Sequence, residues 1–590
     1  MSALTAALVA LFLQNAPAQQ APPASIEGTV VKLGTNEPIS GVSVELSRAA
    51  GGPSSVVGTV TTGDDGKFAF PEVAPGTYRI VATRSDSLYT PAEYGQRTPG
   101  GRGLPIELTS GQRLTNAKLE MDSTGSISGR VFDADGDPVA NARVMALNSV
   151  YRDGKKVMNI IQAVRTNDLG EYRLFWLMPG KYYIGVAPQD LRSRAFSVYV
   201  TTPGRYGSRE DASSPVIVRR TLENGETVEE TWMVDYYGGG LDAERALPVD
   251  VRPAALIGAV DIAVNNSKVR SLRVRGVVIN GATGQPAAAA VVRLVPQNSG
   301  PHMIMPNAAA DKTGAFDIGG VVPGSYSLVA AVNPSRGGGQ GETFFDVSGV
   351  PAALIPLKVA DRDIENLTVT LRPAFSIQGR ILVENSRGTS IDLTRIRARL
   401  TRHPDILGLP NAEPRLPTPN APANGVPSAE GAFTLRGFSA GDYRVNVAAM
   451  PENYYVKSIR LGNVDVLTSG LHVESQPEGQ LEVTIAADGA GVEGVVVNAK
   501  QEPVANATLV LVPEPALRSR LDLYKTVPTG RSGRFRLSGI PPGDYELYAW
   551  EIVEADAWLD PAFMRTLEGK GQLVHLDEGG RNQIQITVLP

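Results

Sequence analysis

The sequence predicts an all-β chain, a tandem array of five seven-stranded β-sandwich domains. Three observations predict it. One short pattern recurs five times with constant internal spacing. A strand-like stretch of period two, with a Gly inside it, precedes every copy. Gly (62 residues) and Pro (43) fall at turn positions between these stretches, not in low-complexity tracts.

The pattern is a Gly followed two residues later by an aromatic, and then a second Gly before a Tyr. Its copies are Gly66-Lys67-Phe68 with Gly76-Thr77-Tyr78, Gly170-Glu171-Tyr172 with Gly180-Lys181-Tyr182, and Gly314-Ala315-Phe316 with Gly324-Ser325-Tyr326. Gly431-Ala432-Phe433 with Gly441-Asp442-Tyr443, and Gly533-Arg534-Phe535 with Gly543-Asp544-Tyr545, complete the set. The step from first Gly to Tyr is the same in all five, so one β unit is used five times. The first Gly suits a hairpin turn that needs a positive φ. The Pro-Gly steps at Pro75, Pro179, Pro323 and Pro542 suit a type II turn. The strand after each places Tyr78, Ile80 and Ala82, or Tyr545, Leu547 and Ala549, on one face.

The opening strands are centred on Gly28, Gly129, Gly276, Gly379 and Gly494, with the Gly on the apolar face. A core-facing Gly leaves a notch for a neighbouring aromatic to fill. A turn with Pro follows at Pro38, Pro138, Pro286 and Pro503; the fourth unit has Arg387-Gly388 instead. Two insertions break the spacing. One, in the second unit near 190–235, includes a hairpin turned at Asn224-Gly225. The other is a Pro- and Asn-rich loop from His403 to Pro427.

At 590 residues the chain exceeds a single core. The apolar fraction of 42% and charged fraction of 20% are those of a globular protein, and the net charge of −5 argues against nucleic-acid binding. Met1 to Leu13 form an apolar run ending near Ala16-Pro17-Ala18, which reads as a signal peptide, although no Lys or Arg precedes it. No later segment has the length and apolarity of a membrane-spanning helix. Cysteine is absent, which excludes disulfides, thiolate metal sites and a Cys nucleophile. The expected organisation is a signal peptide over 1–18, a linker over 19–25, and sandwiches over 26–121, 122–266, 267–372, 373–487 and 488–590. Domains roughly 35 Å across stacked end to end would make the array elongated.

Few motifs carry chemistry. His575-Leu576-Asp577-Glu578 matches H-x-x-E, but zinc needs a third protein ligand and no His follows. Asp133 to Pro138 is rich in Asp like a calcium loop, yet the positions that need Gly and an acid hold Pro138 and Val144. The four His (302, 403, 472 and 575) stand apart, and no Ser nucleophile elbow or phosphate-binding Gly loop occurs. No catalytic residue, cofactor or metal is therefore expected. Arg395, Arg397 and Arg399 alternate with Ile396, Ala398 and Leu400 and are read as the solvated outer face of one strand. Aromatics crowd at Trp232, Tyr236 and Tyr237, and again at Tyr548, Trp550, Trp558 and Phe563. Such clusters serve as ligand platforms or as covers over inter-domain joints. Trp558, Tyr236 and Tyr237 are the candidate ligand-binding residues.

The first-strand Gly, the Gly-x-aromatic turn and the Pro-Gly-x-Tyr turn together resemble the carboxypeptidase-regulatory-like domain, a transthyretin-like, Ig-like β-sandwich. The fourth unit departs, with Ala440 in place of the turn Pro. The resemblance implies a fold and an exported location; no catalytic residue is carried over. The expectation is an exported bacterial protein of the periplasm, outer surface or medium. Its role is non-enzymatic binding or scaffolding at the cell envelope, with a glycan or an envelope protein as partner. The alternative is a spacer or accessory subunit of an envelope complex or transporter; an unrecognised hydrolase ranks third.

Overall fold

The computed structural model describes residues 22–49, 56–152, 154–187, 198–202, 205–208, 217–264, 268–297, 305–332, 335–337, 344–346, 349–384, 391–403 and 425–589. The expected signal peptide, and residues 404–424 of the Pro- and Asn-rich loop, lie outside them.

The chain is all-β, and one frame repeats. The opening strands are Ala24–Lys32, Gly125–Phe132, Lys268–Asn280, Phe375–Glu384 and Ala490–Val497. Each pairs antiparallel with the strand that follows the Gly-x-aromatic turn and parallel with the strands that close its unit. The second strand and the Tyr strand, such as Ser43–Arg48 with Gly76–Thr83 or Thr508–Pro513 with Gly543–Trp550, form the facing sheet. Between the sheets lie five buried apolar clusters drawn from residues 24–121, 127–264, 272–371, 375–485 and 490–586. We call these five stretches units.

Three details explain the recurring residues. The first turn Gly has φ between +68° and +85° in all five copies, and a Cβ there would lie 2.5–2.6 Å from the opening strand's carbonyl, as at Val30 O or Val496 O. Any side chain would therefore be both strained and blocked. The second Gly does not follow the type II expectation. Its φ is +144° to +157° at Gly76, Gly180, Gly441 and Gly543, not about +80°, because it already begins a strand. The Tyr after it is buried in every unit. Its hydroxyl donates to the carbonyl four residues back: Ala74, Met178, Val322, Ser439 and Pro541, at 2.7–2.9 Å. That bond satisfies a polar group that burial would otherwise penalise.

The opening-strand Gly sits directly opposite the turn aromatic, as Gly28↔Phe68, Gly129↔Tyr172, Gly276↔Phe316, Gly379↔Phe433 and Gly494↔Phe535. The ring fills the notch in the first and fourth units, where Phe68 and Phe433 stand 2.5 and 2.2 Å from a built Cβ. In the first, second, third and fifth units the nearest obstacle is a backbone carbonyl of the closing segment, at Ala117 (2.1 Å), Val260 (2.0 Å), Leu367 (2.0 Å) and Ile584 (1.7 Å). There the Gly serves close backbone approach, a different reason from the one the sequence suggested.

The hairpin turned at Asn224-Gly225 forms, as Ile217–Thr221 against Thr227–Trp232. Its second strand then pairs with Lys268–Asn280, so the hairpin extends the opening sheet of the third unit, not the second sandwich as expected. Arg273 holds it: its guanidinium lies 2.8 Å from Glu229 and 2.8 Å from Asp317, and the bonds to Asp317 keep it firmly protonated.

The units do not form an end-to-end row. In the fifth unit Asn506 Nδ2 donates to Gly95 O (3.1 Å) and Arg102 O (3.0 Å) of the first, and the Arg531 guanidinium lies 4.7 Å from the Tyr94 ring centroid. Phe563 meets Tyr151 of the second unit at 6.5 Å between centroids. At the tip of the second unit's hairpin Arg143–Arg152 with Lys155–Arg165, Gly154 (φ +70°) approaches Leu559 so closely that a Cβ would lie 2.3 Å from its carbonyl oxygen. The first and last units therefore touch, which corrects the elongated expectation.

Candidate functional site

The second and third units enclose a cleft of about 560 Å³. Its floor is the outer face of the second unit's sheet, with Met158 from Lys155–Arg165 and Tyr183 from Gly180–Ala187. The segment 231–244 crosses this face and supplies Trp232, Met233, Tyr236 and Leu241. The third unit supplies the opposite wall with Pro296, Pro306 and Pro323, beside its buried Tyr326.

The electrostatics of the cleft are mild. Burial pushes the Tyr326 phenol up to about 12. Burial, and then the Asp242 carboxylate, push Tyr236 up as well. Both are neutral hydroxyls at ordinary pH. Lys156, Asp242 and Glu244 are exposed at the mouth. The Asp242 carboxylate already accepts from the Glu244 amide at 2.9 Å and pairs with Arg245 at 3.3 Å. Lys268 places its ammonium 4.6 Å from the Trp232 ring centroid, a cation–π contact worth roughly 0.5–1 kcal/mol at an exposed site.

The candidate ligand-binding residues separate. Tyr236 is 6% exposed and packs in a small apolar cluster with Met145, Leu147 and Ala187, while still lining the cleft. Tyr237 is half-buried against the second unit's main core. Trp558, 8% exposed, belongs to a cluster with Val510, Tyr548, Trp550 and Met564, where its ring stacks on Trp550 at 6.5 Å. Sequence reasoning named Trp232 but missed Tyr183, Met158 and the three prolines, because the two walls come from separate units.

The other motifs have structural roles. Asp133 Oδ1 accepts from the amides of Asp135 (3.0 Å) and Asp137 (2.9 Å). In the fifth unit the neutral Asn498 does the same for Lys500 and Glu502. The carboxylate of Asp133 is thus a turn-forming acceptor, and a charge is not needed for that role. His575 lies across from Asp544 at 2.7 Å, and His472 pairs with Asp442 in the same register one unit earlier. These aspartates hold both imidazoles above their ordinary value. Arg395 is not on the strand as expected: it ends a short 3-10 turn, Leu393–Arg395, and the strand begins at Arg397. Among the described residues no group of three or more His, Asp or Glu side chains is placed to hold a metal ion. No helix among them is long and apolar enough to cross a membrane.

Residues 25–115 and 126–208 match the model of the carboxypeptidase regulatory-like domain. A search of curated protein sequences finds no match. Solved structures that match include the Bacillus anthracis TIE protein, at 10% identity and a TM-score of 0.13 over 93% of this chain and 68% of that one. The minor pilin of Streptococcus agalactiae matches at 12% identity and a TM-score of 0.21, over 41% and 95% of the two chains. The major pilin subunit of Bacillus cereus matches at 11% and 0.15, over 59% and 99%. None of the three superposes on the whole chain. The two stretches that match this model lie in the first and second units, whose Gly–Tyr frame recurs in the three units that follow.

Proposed function

We propose that this is an exported, non-enzymatic protein that binds or scaffolds other components at the bacterial cell envelope. The observation that supports this best is the mutual clasp of the units. The Asn506 and Arg531 contacts to the first unit, and the Phe563 contact to the second, hold the fifth β-sandwich frame against the first two. An arrangement of that kind presents surfaces at fixed spacing, so weak contacts can add through avidity. The candidate chemical groups support the same reading. The His–Asp pairs are solvent-exposed cross-strand pairs, and Asp133 is engaged by its own turn.

A glycan is one ligand class to screen, with Tyr236 at the cleft as the aromatic contact. Tyr237 packs on the second unit's core and Trp558 on Trp550, so a role for either in binding requires that packing to open. The alternative role is that of a spacer or accessory subunit in an envelope complex.

Fractionation of the producing bacterium tests the location. The protein is expected in the periplasmic, outer-surface or secreted fraction, and a purely cytosolic protein would sink the proposal. Purified full chain is expected to leave peptide and glycoside substrates intact. Turnover that co-purifies with the chain would replace the reading with an enzymatic one.

A further inference from the structure

We infer that the cleft between the second and third units is a binding site for a small, largely apolar, ring-containing molecule. This rests on the binding reading above and narrows it to one site and one ligand class. The volume of about 560 Å³ falls within the roughly 300–1,000 Å³ of small-molecule sites. Both walls are built, one from each unit, so the site exists only when the two are joined.

The chemistry of the walls decides the class. The lining side chains Met158, Met233, Trp232, Tyr236, Pro296 and Pro306 offer aromatic faces, polarizable thioethers and rigid pyrrolidine rings. Thioethers adapt to irregular apolar shapes and favour contact with aromatic rings. A sugar needs several polar side chains around its aromatic platform, because each buried hydroxyl left unpaired costs about 1–3 kcal/mol. Here Lys156, Asp242 and Glu244 stand at the mouth. Besides the aromatic residues, the only other polar side chains of the described lining are the hydroxyls of Ser149, Thr231 and Ser325. Asp242 already accepts from the Glu244 amide and pairs with Arg245. The Tyr326 hydroxyl is likewise committed to Val322 O at 2.7 Å. An apolar ring system meets no such deficit.

The test is a fluorescence titration of the full chain with N-phenyl-1-naphthylamine, a neutral apolar probe. The expected result is saturable binding with one site per chain. Leu241→Asp is expected to weaken it at least tenfold. Leu241 is 39% exposed, so the change puts a charge at the cleft without removing a core residue, and an unchanged melting curve verifies the fold. Leu573→Asp, at an 81% exposed position in the fifth unit, is expected to change nothing. Absence of saturable binding by the folded chain would overturn the inference, and so would equal binding by all three proteins. Displacement of the probe by soluble oligosaccharides would overturn the ligand class. None of these outcomes touches the envelope location, which fractionation tests separately.

Discussion

In the fifth unit the Trp558 indole stacks on Trp550, which itself stacks on Tyr548 at 5.4 Å, and the neighbouring Phe563 reaches Tyr151 of the second unit. At the junction of the second and third units, Trp232 lines a cleft with Lys268 against its ring. Both regions are aromatic-rich insertions into the same frame. They differ in what covers them. The hairpin Arg143–Arg152 with Lys155–Arg165 reaches the fifth unit at its tip, where Gly154 allows backbone approach. Nothing comparable among the described residues fills the space beside Trp232. An aromatic cluster thus becomes a joint or a site according to whether a second unit presents a complementary surface to it.

The sharpest way to break this comparison is to truncate both indoles. Trp558→Ala is expected to cost about 3–5 kcal/mol, the usual range for emptying a packed indole site, read from chemical denaturation. Trp232→Ala is expected to cost about 1 kcal/mol, the scale of its cation–π contact. Equal losses would erase the distinction.

A smaller effect is expected from Gly154→Val, which sets a branched side chain against the Leu559 carbonyl and onto a positive φ. We expect a loss of about 1–3 kcal/mol together with faster oxidative labelling of Phe563; unchanged labelling would show that the hairpin does not cover it. Arg531→Ala should remove about 1 kcal/mol and loosen the contact with the first unit, seen as a larger radius of gyration by X-ray scattering. No change in that radius would count against the clasp.

The smallest effect is expected from the exposed His575–Asp544 pair. The folded imidazole titrates above its unfolded value of about 6.5. Its contribution is therefore fully present below that pH and is lost as pH rises through the folded value. A melting temperature that falls slightly across this window in the native chain, and less in His575→Ala, is the expected pattern. The opposite slope would contradict it.

Much of the frame was legible in the sequence because it rests on local spacing. Gly66 and its four counterparts announce a positive φ, and Tyr78 and its counterparts announce a buried ring. What was not legible depends on which surface a residue meets. The reason for Gly129, Gly276 and Gly494 lies in a carbonyl roughly 90 to 130 residues away in the chain. The hairpin 217–232 lies between the second and third units, and only its pairing with Lys268–Asn280 shows which sheet it extends. Arg395 obeys the alternation of a strand, yet Asp392 caps a turn through the Thr394 amide and delays the strand by two residues. Trp558 and Trp232 carry no local signal of their different burial.

Hydroxyl-radical footprinting of the native chain, read residue by residue by mass spectrometry, separates an open indole at the cleft from a covered one at the joint. Trp176, 36% exposed, serves as the open reference within the same molecule. Trp232 is expected to be oxidised at a rate approaching that of Trp176, while Trp550 and Trp558 are protected at least fivefold. Trp558 oxidised as fast as Trp232 would contradict that difference.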